Sequence, residues 1–244
     1  MELHDVDNYY EKNFFLKTVT IELLNHCNWN CKHCYLDKKK IMLPKYIIFD
    51  IINNMREMGA YDIKFSGGEI TLRDDLSEII QHARKKYLNV VLLSNMYKLD
   101  RNVIDCIKEY GIGSIETTIF SLQEDIHDEF VGVKGALKAT LNNIHMLKLI
   151  GINILVKTWV IKKNFHELET MSEFFMKNGY NFNIHTQIYD NLKRVRTLPP
   201  ELELNKKEYV KALYLSDKSL RGNFRYIIKM KANYAKSFHP LSMC

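Results

Sequence analysis

The chain has 244 residues, is 46% apolar and 26% charged, and carries 35 basic against 29 acidic residues for a net charge of +6. That composition belongs to an ordinary globular protein of one domain, or one domain plus an appendage, long enough to bury a large core. No run of about 18 apolar residues offers a transmembrane helix, and Met1–Lys12 is too polar for a signal peptide, so a cytoplasmic protein with no membrane partner is expected. The basic residues at Lys38–Lys40, at Lys193–Arg196 and through the last forty positions read as a solvated face or as attraction for an acidic partner. No aromatic-basic motif accompanies them, so no nucleic acid is expected.

Short apolar runs alternate with longer amphipathic ones. Strands are expected at Leu16–Leu24, Asp62–Ser66, Val90–Ser94, Ser114–Ile119, Asn153–Val160 and Asn181–Gln187, all rich in Ile, Val, Thr and Phe as buried parallel strands are. Helical spacing falls between them at Pro44–Met58, Asp75–Tyr87, Asn102–Tyr110, Ala136–Ile150 and Phe165–Asn178. Gly59, Gly111, Gly151 and Gly179 follow four of these helices as C-terminal stops. The alternation means parallel α/β, either an open doubly wound sheet or a partial barrel, with the chemistry at the carboxyl ends of the strands. Residues 190–205, with Pro199 and Pro200, read as a loop, and 206–236 as one or two basic helices.

Three of the five cysteines crowd into one segment. Asn25–Leu36 reads NHCNWNCKHCYL, with Cys27, Cys31 and Cys34 spaced three residues apart and then two, directly after the first strand. Clustered cysteines outside an oxidising compartment bind metal or do redox work more often than they pair. Three thiolates suit an iron–sulfur cluster with one iron left open. The alternative is a structural zinc of the Cys3His type, drawing on His26 or His33.

C-x3-C-x2-C after a first strand resembles the signature of the radical S-adenosylmethionine (radical SAM) superfamily. The resemblance implies a partial (β/α)6 TIM-type barrel over residues 14–190, with 191–244 as a short helical extension. It also implies two cofactors, a [4Fe–4S] cluster and S-adenosylmethionine chelated by the open iron. His33 stands where the family usually has another aromatic residue before the third cysteine, and Tyr35 after it is a frequent family choice. FSGGEITL at Phe65–Leu72 is similar to the family's Gly-Gly-Glu motif, which implies that Gly67, Gly68 and Glu69 hold the cofactor's amino group. Ser94 and Asn95, at the end of strand three, are implied as ribose contacts, with Met96 in place of the usual glycine. ETTIFS at Glu116–Ser121 and the residues after it resemble radical SAM peptide maturases that carry a so-called SPASM extension. Thr118 there takes the place of a serine facing the cofactor, and Lys157 that of a polar or basic residue near the cofactor's carboxylate. A charge in mid-strand needs a partner or a ligand in any case. His127 and Asp128 read as helix-opening and packing residues, and Cys106 as ordinary core.

The implied reaction is reductive cleavage of S-adenosylmethionine followed by hydrogen abstraction from a substrate. By the subfamily resemblance the substrate is a ribosomally made peptide or protein, modified or crosslinked. Alternatives are an enzyme of small-molecule cofactor biosynthesis and a truncated, non-catalytic cluster-binding protein. Expected partners are a reductant such as flavodoxin or ferredoxin and a separate leader-binding protein, because few residues precede strand one. SPASM extensions hold auxiliary clusters on further cysteines. Only Cys244 is available for that here, so that region is expected to be missing or cut off, with Cys244 an orphaned ligand.

Overall fold

The computed structural model describes residues 9–13, 15–34, 36, 39–186 and 203–219. Tyr35, Gln187, the expected loop through 202, the segment after Ser219 and Cys244 lie outside these. Six strands form one sheet: β1 (Thr18–Glu22), β2 (Asp62–Ser66), β3 (Asn89–Leu93), β4 (Ser114–Thr118), β5 (Ile154–Trp159) and β6 (Asn181–His185). Every neighbouring pair is parallel and the order is β1-β2-β3-β4-β5-β6.

That order separates the two α/β architectures. A doubly wound sheet reverses its strand order at a switch point. Here each strand joins the next neighbour, and right-handed crossovers then place every helix on the same face. The sheet is a partial barrel with helices outside and a concave face inside. The outer face carries Ile63, Phe65, Ile115, Val156, Phe182 and Ile184, all buried. At roughly 1.5–3 kcal/mol for each fully buried large apolar side chain, this face holds the fold together.

The helices are α1 (Lys45–Glu57), α2 (Leu76–Lys85), α3 (Arg101–Tyr110), α4 (Glu124–Val131), α5 (Ala136–Leu149), α6 (Leu168–Lys177) and α7 (Lys206–Ser219), with 3-10 turns at Ile70–Leu72 and Phe165–Glu167. The four stop glycines all have φ between 66° and 88°. Helix α4 escapes the periodicity reading because two turns are too few to establish a period. Helix α7 lies against β6: Ala212 and Leu215 are buried, and Ser216 Oγ donates to the Ile184 carbonyl at 2.6 Å. No helix among the described residues is long and apolar enough to cross a membrane.

His127 and Asp128 serve packing, from within α4. Asp128 accepts from the backbone N–H groups of Gly135 and Leu137, at the start of α5. His127 is fully buried, and its Nδ1 accepts from Phe120 N at 3.1 Å. Burial holds its imidazole neutral, with a pKa of about 4. In the unfolded chain it titrates near 6.5. Between those values the unfolded state binds more protons, so stability is lost as pH falls from about 6.5 towards 4, by on the order of 3 kcal/mol for this group. Urea unfolding across that window should show His127→Gln with a shallower acid loss than the parent chain. Parallel profiles would refute the assignment.

Candidate functional site

The cysteine segment leaves β1 and returns to α1 as a loop pinned on every side. Leu24 bridges Met42, and Leu43 N donates to the Leu23 carbonyl at 2.9 Å. The buried guanidinium of Arg73 clamps both flanks, donating to the carbonyls of Leu23 (3.0 Å) and Leu43 (2.8 Å) while forking onto Asp75. Trp29, 4% exposed, anchors the stretch between Cys27 and Cys31 in an apolar cluster with Phe120, Phe130, Val131, Ala136 and Ile161. On either side of Cys31, Asn30 N and Lys32 N donate to the carbonyls of Val131 (2.7 Å) and Phe130 (3.1 Å). Those carbonyls lie in the last turn of α4, where a helix leaves its acceptors unsatisfied. The helix end and the thiol loop therefore complete one another.

Cys27, Cys31 and Cys34 are all partly exposed and none is in a disulfide. Cys27 Sγ receives Trp29 N at 3.4 Å and Asn95 Nδ2 at 3.8 Å, the hydrogen-bonded setting that suits an iron-bound thiolate. Three free thiols in one loop supply three thiolates, one fewer than a fully ligated four-iron cluster takes, which leaves one iron open. The donor set fits the cluster. His33 sits in an aromatic nest, stacked on Phe130 at 5.4 Å and edge-on to Phe120 at 5.1 Å. Burial lowers its pKa to about 4, so the ring is neutral and packs as an aromatic residue would.

The Gly-Gly-Glu segment docks directly onto this loop. Gly68 N donates to the Leu24 carbonyl (2.8 Å) and Glu69 N to the His26 carbonyl (3.0 Å). A Cβ on Gly67 would lie 2.3 Å from Leu24 O, and one on Gly68 1.9 Å from His26 O. The close approach that demands glycine here is to the chain's own cysteine loop. Glu69 is fully buried. Its Oε1 accepts from Ser94 Oγ (2.6 Å), Thr71 N (2.9 Å) and Thr71 Oγ1 (2.8 Å), and its Oε2 from Asn95 N (2.7 Å). Burial pushes its pKa up, against the opposing pull of those donors. Asn95 Nδ2 also donates to Asn28 Oδ1 at 2.7 Å. Met96 has φ of 54°, the left-handed region where glycine is easiest, which accounts for the glycine usual at this position.

Cys27, Glu69, Ser94 and Asn95 thus form one connected group, with Gly67 and Gly68 as its hinge to the loop. Thr118 and Lys157 are elsewhere on the concave face, side by side in register on β4 and β5. Lys157 Nζ is paired with Glu116, whose other oxygen takes Lys64 Nζ at 3.0 Å. The pairing answers the cost of a charge in mid-strand. Lys64 and Glu116 were missed by the sequence reading, although each gives the same signal as Lys157, a charge inside a strand. Asn28 and Arg73 carry no such signal. Cys106 is buried, with its Sγ 3.2 Å from the Ser77 carbonyl.

Comparison with known proteins agrees with this geometry. The Fe-coproporphyrin III synthase of Methanosarcina barkeri is 30% identical over 154 residues, which are 62% of this chain and 38% of that protein. The antilisterial bacteriocin subtilosin biosynthesis protein AlbA of Bacillus subtilis is 28% identical over 158 residues, 63% of this chain and 35% of that protein. The chain thus spans well under half the length of these relatives. Streptococcus suis SuiB bound to its precursor peptide SuiA superposes with a TM-score of 0.69 at 12% identity, over 89% of this chain and 50% of that one. The same protein bound to S-adenosylmethionine gives 0.71 over 88% and 51% at 12% identity. At that identity the likeness concerns the fold alone. The profile of the radical SAM superfamily, whose cofactors are a [4Fe–4S] cluster and S-adenosylmethionine, matches residues 21–175, and the chain belongs to that superfamily.

Proposed function

We propose that the chain is a radical SAM enzyme acting on a ribosomally made peptide or protein. The observation that carries the reading is the hydrogen-bonded path from Cys27 through Asn95 to Glu69, which couples the thiol loop to the ends of β2 and β3. Cys27, Cys31 and Cys34 would hold the cluster, and the Gly67–Glu69 segment the amino end of the cofactor. When bound, the two cofactors supply one-electron cleavage of the sulfonium and hydrogen abstraction from an unactivated carbon.

The protein's part is to bind, orient and exclude water. Trp29 N and Asn95 Nδ2 steady the Cys27 sulfur. Ser94 holds Glu69 as an acceptor, so it acts through that carboxylate, and Asn95 carries the ribose contact. Thr118 faces the chamber from β4. The apolar nest around Trp29 and His33 shields the loop from water. The peptide reading is supported by the similarity to a bacteriocin biosynthesis protein. A flavodoxin or ferredoxin would deliver the electron. The 30% identity to Fe-coproporphyrin III synthase favours a second reading, a tetrapyrrole substrate.

The test is anaerobic reconstitution with S-adenosylmethionine and dithionite, then co-expression with a candidate precursor peptide and mass measurement of its product. Formation of 5′-deoxyadenosine and a mass change in the peptide are expected. Absence of 5′-deoxyadenosine would retire the enzyme reading, and an unchanged peptide the substrate reading. Within this scheme Glu69→Ala removes a charge-assisted contact worth on the order of 1.5–3 kcal/mol. Affinity for S-adenosylmethionine should fall roughly tenfold to hundredfold while the iron content holds. Calorimetry showing unchanged affinity would exclude Glu69 from cofactor binding.

A further inference from the structure

The inner face of the sheet carries a group of charges outside the connected group of Cys27, Glu69, Ser94 and Asn95. Strand alternation places Lys64, Glu116, Lys157 and His185 on the concave face, because Ile63, Phe65, Ile115, Thr117, Val156 and Ile184, their neighbours in sequence, are buried on the other. Glu116 Oε1 accepts from Lys64 Nζ at 3.0 Å and Oε2 from Lys157 Nζ. Glu116 is nearly buried, with its side chain 8% exposed, whereas those of Lys64 and Lys157 are 36% and 22% exposed. Each ammonium has three N–H donors and spends one on Glu116. Among the described residues, donors are left over on both, facing the chamber.

Two further observations bear on what the wall is built to meet. Two ammonium groups against one carboxylate leave a surplus of one positive charge. Two other acids share this face by alternation: Glu22, exposed at the end of β1 level with Ser66, and Asp62, at the start of β2, which accepts from Thr18 and Asn89. Beside the pair lies His185, in register with Trp159 and in ring contact with it at 4.8 Å. Burial and the charge of Lys157 lower its pKa, against the opposing pull of Glu116. Its Nε2 is buried without a hydrogen-bond partner among the described residues.

We propose that Lys64, Lys157 and His185 form a subsite on the concave face that binds a carboxylate of the substrate. The lysines already straddle the two oxygens of one carboxylate in Glu116, so their spacing is that of the group they would receive. The single surplus charge matches a monoanion. Glu116 holds the lysines apart and tempers the site by repelling the incoming anion. The subsite rests on the radical SAM reading of the chain and narrows its substrate to one with a carboxylate inside the barrel, from a peptide side chain or from a propionate of a tetrapyrrole.

The test is equilibrium binding to the reconstituted full chain with S-adenosylmethionine present. One arm uses a glutamate-bearing synthetic peptide against its glutamine counterpart, and the other coproporphyrin III against its tetramethyl ester. The acid form should bind tighter than its neutral counterpart in one arm, which identifies the source. In that arm Lys64→Met should weaken binding roughly tenfold or more, as loss of a charge-assisted contact does, and leave affinity for S-adenosylmethionine unchanged. Glu116→Gln should tighten acid binding, the opposite of what a misfolded barrel would give. Equal binding of acid and neutral forms in both arms, no binding in either, an indifferent Lys64→Met or a weakened Glu116→Gln would each overturn the subsite. Formation of 5′-deoxyadenosine in the same preparations is read separately: present, it leaves the enzyme reading standing when the subsite fails, and absent, it removes that reading itself.

Discussion

Replacing Cys31 by alanine should reduce the iron of the anaerobically reconstituted protein from about four per chain to below about one and bring 5′-deoxyadenosine formation down to the uncatalysed background. Cys31 sits between the two backbone hydrogen bonds that fasten the loop to the end of α4. The substitution therefore removes a ligand and leaves the loop in place. Two thiolates cannot hold a cubane that uses three. Alanine at Cys27 or Cys34 should do the same. Cys106→Ala is the control: that thiol is packed in the core against Ser77, so the variant should keep its iron and lose only stability. Iron and sulfide analysis, with electron paramagnetic resonance of the reduced sample, gives the answer. Full iron and labile sulfide in Cys31→Ala, or stoichiometric zinc without sulfide in the parent chain, would remove the cluster from this loop.

Gly68→Ala should be as damaging although it removes no chemistry. The new Cβ would stand 1.9 Å from the His26 carbonyl oxygen and 2.4 Å from its carbon. Both are backbone atoms, so no rotamer can yield. Overpacking of this kind costs about 1–3 kcal/mol and occasionally more. Relief here means parting the two segments, which breaks Gly68 N to Leu24 O and Glu69 N to His26 O at about 1 kcal/mol each. The sum is about 3–5 kcal/mol. For a chain of this length that lowers the melting temperature by about 10 °C. Iron content should fall with it, because the loop that presents Cys27 loses its seat. A melting temperature within about 2 °C of the parent, with full iron, would show that the docking of these segments does not matter.

Much of this protein is decided locally, and those parts are legible in the sequence. Strand bounds agree with expectation at Asp62–Ser66 and to within one or two residues at the other described ends, because continuous apolar runs with β-branched residues and glycine stops are properties of a few neighbouring positions. The spacing of Cys27, Cys31 and Cys34 is local in the same way. Thiols three and two residues apart in one loop share a neighbourhood in any fold. Ser94 and Asn95 could be placed at a strand end for the same reason. Short elements such as α4 fall below what a period can reveal.

Tertiary structure decided the rest. The same pattern of strands and helices permits a doubly wound sheet or a barrel, and only the sequential order of parallel neighbours closes that choice. Gly67 and Gly68 signal close approach in the sequence. That the approaching group is the backbone of Leu24 and His26 depends on β1 and β2 lying side by side. Glu69 accepts from Thr71, Ser94 and Asn95 because the ends of β2 and β3 meet there. Lys64 and Lys157 lie 52 and 41 residues from Glu116. Each charge alone is an unexplained expense in mid-strand, and curvature of the sheet makes them one group. Spacing along the chain fixes which atoms are near when they are a few residues apart; beyond that, the order and curvature of the strands decide which charges meet.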